Sequence, residues 1–226
     1  MAEIAATACV HPTARIHAEV VIMDNVWVGP NVLIDAGTIV EPNAVLGYRA
    51  GASTRPLRIG KSCLIANNAT VYHSVTLGDG VKIRHNAVVR DEVEVGEGTS
   101  VGTGCTIEPH TRVGRFCSFH CKVHITDYST IGDYVFIGPG FVSLSDIYLD
   151  YRRPQLHRDY HGVVIERAAR IGGAVLALQG CVVGEETTVG AGSQISGVLK
   201  PRMVYLGVPA RPVRRVRPDE ELGAQA

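Results

Sequence analysis

The chain has 226 residues, with 22 Lys plus Arg balancing 22 Asp plus Glu, and 46% of its residues are hydrophobic. A formal net charge of zero supplies no overall field to draw in nucleic acid or an anionic membrane, so partners are expected to be recognised locally. No segment approaches the ~18 uninterrupted apolar residues of a membrane span, and the start MAEIAATACVHP lacks a basic leader, so a cytoplasmic protein is expected.

From Val10 to Leu46 an aliphatic residue returns every sixth place, at Val10, Ile16, Ile22, Val28, Ile34, Val40 and Leu46. The intervening corners carry turn chemistry, as in Asp24-Asn25, Gly29-Pro30-Asn31 and Pro42-Asn43. Trp27, the only tryptophan, takes an outward place, and His11 and His17 read as solvated corner residues. Leu46 to Ile59 is 13 positions, one more than two sixes, which predicts a short loop over GYRAGASTRPLR. Arg49, Arg55 and Arg58 make this loop basic, either as a solvated loop or as a fork for phosphate.

The repeat then runs from Ile59 to Ser143. Ile83, Val89, Val95, Val101, Ile107, Val113, Phe119, Ile125, Ile131 and Ile137 hold the sixth places, and Ala87, Cys105, Cys117 and Val123 are among the small or β-branched residues that follow four positions later. A period of six is neither helical nor a simple strand alternation. It is the signature of a parallel β-helix in which short strands bury one side chain and turn a corner. Three such units make a coil of ~18 residues, so about nine coils are expected, stacked at the strand spacing of ~4.8 Å. One continuous repeat predicts one domain over 1–226, with loop excursions at about 47–58 and 144–164 and a tail at about 201–226. Cys63, Cys105, Cys117 and Cys181 fall on inward places and read as packing residues.

Counting by coils places His85 and His120 on the same edge of the prism, about two coils or ~10 Å apart. The run Cys117 to His124 superficially resembles a metal cluster, yet in this register its Cys and His residues point in different directions, so no metal is expected within one chain. The repeat lapses after Ser143 over SLSDIYLDYRRPQLHRDYHGVV, an insertion rich in Tyr, His and Arg that is expected on one functional face.

The last block carries ERAARIGG, VVGEETTVGAGS and YLGVPARPVRRV in that order, and resembles the tail of the coenzyme A dependent hexapeptide-repeat acyltransferases. Within them it is most similar to the nucleotide-sugar N-acetyltransferases, which show a loop like Leu144-Ser145-Asp146-Ile147-Tyr148. The resemblance implies an all-β, left-handed parallel β-helix, a homotrimer, acetyl-CoA as co-substrate and a nucleotide-linked amino sugar as acceptor. It places coenzyme contacts at Gly173, Gly190, Ala191, Gly192, Lys200, Arg211 and Arg214. The candidates for the proton-accepting residue are His120 first and His85 second, with Lys122, His124, Asp146 and Asn86 gripping the acceptor and an amide near Gly138 or Gly140 meeting the oxyanion. Where related enzymes tend to carry Gln and Asn on the active corner, this chain has His120 and Lys122. Two other readings stay open: a zinc enzyme like the γ-class carbonic anhydrases, using His85, His120 or His124 between subunits, and a non-catalytic β-helical scaffold. No nucleic-acid or membrane partner is expected.

Overall fold

The computed structural model describes residues 2–48, 55–146, 148, 149, 151–156 and 161–223. Two-residue strands recur every six residues and pair in parallel with the strand one coil away, as in Lys82↔Ser100 and Ile83↔Val101. Every third strand joins the same sheet, so the chain winds a three-sided left-handed β-helix whose sheets hold 12, 10 and 10 strands. We number the sheets first, second and third from their opening strands at Glu3–Ile4, Cys9–Val10 and Arg15–Ile16. Among the described residues, helical structure is limited to 3-10 turns at Pro154–Leu156 and Pro218–Glu220.

The prism has about 11 turns rather than nine. The additional strands hold places that a strict six-residue count passes over. Ile4 precedes the first counted place, and Leu199 pairs with Val183. The spacing Val183 to Leu199 is 16 rather than 18 residues, because the last coil is two residues shorter.

The first loop also differs from expectation. Leu33 pairs with Arg58 and Ile34 with Ile59, a spacing of 25 instead of 18, so seven residues leave the wall rather than one. Arg55 forms an ion pair with Glu92, and Arg58 stands exposed on the outer face of the third sheet. Arg49 lies outside the described residues. The second excursion follows Val142–Ser143 and returns at Val164–Ile165; Ile131↔Ile165 spans 34 residues, so 16 are extra.

The interior is a column of Ile, Val and Leu from the sixth places, interleaved with Ala87, Cys105, Cys117 and Val123 from the inward corner places, all essentially buried. Each fully buried aliphatic contributes about 1.5–3 kcal/mol, shared between adjacent coils, so stability accrues turn by turn. Val10 and Ile16 are only partly buried because the first coil has no coil beneath it. The corners require left-handed backbone: Asn25, Asn43, Asn68, Asn86 and Lys122 all have φ between 56° and 61°. Asn relaxes there because its short amide tolerates that region.

Burial pushes the thiols of Cys63, Cys105 and Cys117 up to about 11 and that of Cys181 up to about 12, while Cys9 and Cys121 are exposed. A disulfide reagent at pH 8 is therefore expected to titrate two thiols in the native protein and all six after denaturation. More than two fast thiols would contradict this packing.

Candidate active site

The edge between the first and second sheets collects most of the sequence-predicted site. Each coil crosses it with three corner residues, and the third donates its N–H to the second residue of the coil before. The ladder reads Asn86 to Asn67, Gly104 to His85, Lys122 to Thr103, Gly140 to Cys121, Ala174 to Pro139 and Gly192 to Gly173, at 2.8–3.2 Å. His85, Asn86, His120, Lys122, Gly173, Gly190, Ala191 and Gly192 thus stand on one line parallel to the prism axis.

The line has two chemically different halves. Toward the N-terminal end, a shallow depression is lined by Arg84, His85, Thr103, His120 and Cys121. Toward the C-terminal end, three successive corners read Gly138-Pro139-Gly140, Gly172-Gly173-Ala174 and Gly190-Ala191-Gly192. These nine residues carry nothing larger than a proline ring, leaving a smooth strip of backbone. Gly138 and Gly172 are required by close approach: a Cβ would meet backbone of the next coil at 2.6 and 2.4 Å. A Cβ on Gly190 would meet the Leu206 side chain at 2.0 Å, whereas one on Gly192 would face open space.

The two histidines are held differently. His85 donates from Nδ1 to the amide oxygen of Asn67 at 2.5 Å, and that nitrogen lies 3.7 Å from a carboxylate oxygen of Glu41. Glu41 is itself fixed by accepting the backbone N–H of Asn67 at 3.0 Å. In neutral His85 this leaves Nε2 with its lone pair toward solvent, the form of a proton acceptor. His120 is exposed; its ring meets Phe136 edge-on, with centroids 5.0 Å apart, and makes no side-chain hydrogen bond among the described residues. Sequence reasoning missed Asn67 and Glu41. Asn67 lies one coil before His85, and Glu41 becomes its neighbour only once seven residues have left the wall.

Of the remaining candidates, His124 sits half-buried on the outer face of the second sheet, in register with Thr106. Asp146 is in the second excursion, where its carboxylate accepts the backbone N–H groups of Tyr148 and Leu149 at 2.7 and 3.1 Å. Ile147 lies outside the described residues. Lys200 is on the edge between the third and first sheets, its N–H donated to the Tyr205 hydroxyl at 2.9 Å. Arg211 and Arg214 lie on the antiparallel strand Ala210–Arg215, and Arg214 is engaged by Glu220 at 2.8 and 3.0 Å. Hydrogen bonding from Arg214 pulls the Glu220 carboxyl down to about 2. The tail's ion pairing is therefore present above the ordinary carboxylate range and lost only as pH falls toward about 2. Among the described residues, no three His, Cys, Asp or Glu side chains gather as a metal site within the chain.

A three-sided coil of six-residue units is the architecture of a hexapeptide-repeat β-helix. The profile described as Bacterial transferase hexapeptide (six repeats) matches residues 56–91 and 77–109. A Schizosaccharomyces pombe protein provisionally named an acetyltransferase is 26% identical over 103 residues, covering 45% of this chain and 50% of that protein, so the match spans half of the relative's length. The UDP-N-acetylglucosamine acyltransferase of Francisella novicida superposes with a TM-score of 0.59 over 93% of this chain and 69% of its own, at 18% identity. The UDP-N-acetylglucosamine O-acyltransferase of Moraxella catarrhalis RH4 gives 0.52 over 95% and 75%, at 16% identity. The chain is similar in sequence and fold to the hexapeptide-repeat acyltransferases.

Proposed function

We propose that the chain transfers an acyl group, acetyl in the first instance, from coenzyme A to the amine of a nucleotide-linked amino sugar. The observation that carries this reading is the continuity of one edge, which presents an oriented imidazole at His85 and, a few coils on, a strip of backbone with no side chain larger than a proline ring. An extended pantetheine arm fits such a strip because its amides and thioester can approach backbone closely where no Cβ intervenes. The amine attacks the thioester carbonyl, His85 Nε2 takes the ammonium proton, and the carbonyl re-forms as the coenzyme A thiolate leaves and is protonated; Gly138 and Gly140, whose N–H groups are already donated within the wall three coils or ~14 Å from His85, line the coenzyme path rather than meet the oxyanion. His120, Lys122, Asn86 and His124 surround the acceptor. Asp146 joins them only if a second subunit brings its excursion to this edge. Gly173, Gly190, Ala191 and Gly192 line the coenzyme path; Arg211 meets its phosphates, with Lys200 and Arg214 further out.

An exposed edge becomes a water-poor pocket only when another wall faces it, so the working form in this proposal is a homotrimer with the site between subunits. Light scattering at micromolar concentration should give three times the chain mass, and a monomer mass would contradict it. The activity itself is tested by following release of the coenzyme A thiol from acetyl-CoA with a panel of nucleotide-linked amino sugars. Release dependent on the free amine supports the proposal, and no amine-dependent release with any member of the panel contradicts it.

A further inference from the structure

The three outer faces of the prism differ in charge. Outward places of the first sheet include Glu3, Lys82 and Arg170, and those of the third include Arg58, Glu94 and Arg112. Among the described residues, the strands of the second sheet carry no Lys, Arg, Asp or Glu. From strand Val45–Tyr48 to strand Val142–Ser143 its outward places read Val45, Thr70, Val88, Thr106, His124 and Val142, all half-buried. Six strands at ~4.8 Å make this strip roughly 25 Å long. Both excursions leave the wall at the edge between the second and third sheets, one just after each end of the strip. Depletion of charge from an otherwise polar surface is the compositional mark of the core of a subunit interface.

The edges on either side of the strip carry opposite charge at the same heights. On the edge shared with the first sheet, the corners Arg84-His85-Asn86 and His120-Cys121-Lys122 supply two full cations and no carboxylate. On the edge shared with the third sheet, the same coils supply Arg90-Asp91-Glu92 and Thr126-Asp127-Tyr128. Glu92 pairs with Arg55, and Arg90 is shared between Glu108 at 3.0 Å and Asp91 at 3.9 Å, which still leaves this second edge with an excess of negative charge. Tyr128 is 54% exposed there and stacks on His110, with ring centroids 4.9 Å apart and planes 14° from parallel. Copies that meet through the second sheet about an axis parallel to the prism set the cationic edge of one against the acidic edge of the next, coil against coil.

We propose that further copies of this chain cover the second sheet between Val45 and Val142, and that the partner's Tyr128 and the partner's Asp127 complete the site at His120 and Lys122. It rests on the trimeric reading above and assigns that trimer its contact face. Within one chain the depression holding His85 and His120 is shallow and open. The stacked pair of the partner's His110 and the partner's Tyr128 supplies its missing wall, and the partner's Asp127 lies opposite Lys122. The second excursion starts from the acidic edge in the coil of Gly138–Gly140, so the same arrangement carries the partner's Asp146 toward that corner.

Tyr128→Cys in a Cys9→Ser background places a thiol opposite the partner's Cys121, which is exposed. A short bismaleimide is expected to join the two into a covalent trimer on a denaturing gel, and to give none once Cys121→Ser is added. Thr106→Glu puts a charge in the middle of the strip and is expected to lower the mass by light scattering to that of one chain, with far-ultraviolet circular dichroism unchanged. Thr130→Glu, the matched change on the outer face of the third sheet, is expected to keep the trimer mass. A wild-type trimer that yields no cross-link, or a Thr106→Glu protein that remains trimeric, overturns the assignment of this face and leaves the trimer standing; a wild-type monomer overturns both. Cross-linking and dissociation as expected, in a protein that transfers no acyl group, keep the interface and discard the activity.

Discussion

His85→Ala is expected to lower kcat by about a hundredfold or more with the KM for acetyl-CoA little changed. General-base assistance contributes about 10²–10⁴ in rate, and in this chain the imidazole equipped to give it is the one whose Nδ1–H is committed to Asn67 beside Glu41. His120 has no such orienting partner, so His120→Ala is expected to act mainly on acceptor KM and to cost kcat less than about tenfold. The side chain of His85 is 51% exposed and its replacement leaves no cavity, so a loss of rate cannot be charged to misfolding. Steady-state kinetics of both variants, with each substrate varied in turn, separates the two roles. The reverse ranking, with kcat collapsing in His120→Ala and holding in His85→Ala, would move the base one coil pair along the edge.

Ala191→Trp is expected to raise the apparent constant for acetyl-CoA about tenfold or more while kcat at saturation stays near wild type. Ala191 is exposed in the last corner of the small-residue strip and already carries a Cβ, so the substitution obstructs the groove without disturbing backbone. Gly190 is unsuitable for this purpose, because a side chain there collides first with Leu206 and would test the packing of the last coil. The experiment compares coenzyme kinetics in the wild type and Ala191→Trp, with light scattering to confirm an unchanged assembly. An unaltered constant would place the coenzyme elsewhere.

The fold was legible because a six-residue unit has one inward sixth place and one inward small place, and nearly every Ile, Val, Cys and Ala in the central block obeys it. What escaped the count was whatever broke the arithmetic. The short last coil shifts Leu199 and Tyr205 out of step. A seven-residue insertion is invisible when it makes an interval of 13, which reads as two sixes and one spare. Gly190–Gly192 joined the site edge only in the structure, because the second excursion breaks the count of 18, whereas the alignment of His85 and His120 on one edge followed from coil counting, since only Cα register was needed. The partners that distinguish the two histidines did not, because they depend on where Glu41 falls after the insertion and on side-chain direction.

The central claim is that coenzyme and proton acceptor share the edge between the first and second sheets. A crystal structure with coenzyme A bound tests it most directly. The account predicts density for the pantetheine arm along Gly138–Gly140, Gly172–Ala174 and Gly190–Gly192, with the thiol end directed toward the depression that holds His85 and His120. Coenzyme lying against either of the other two edges, or with its thiol pointing away from these histidines, would contradict it.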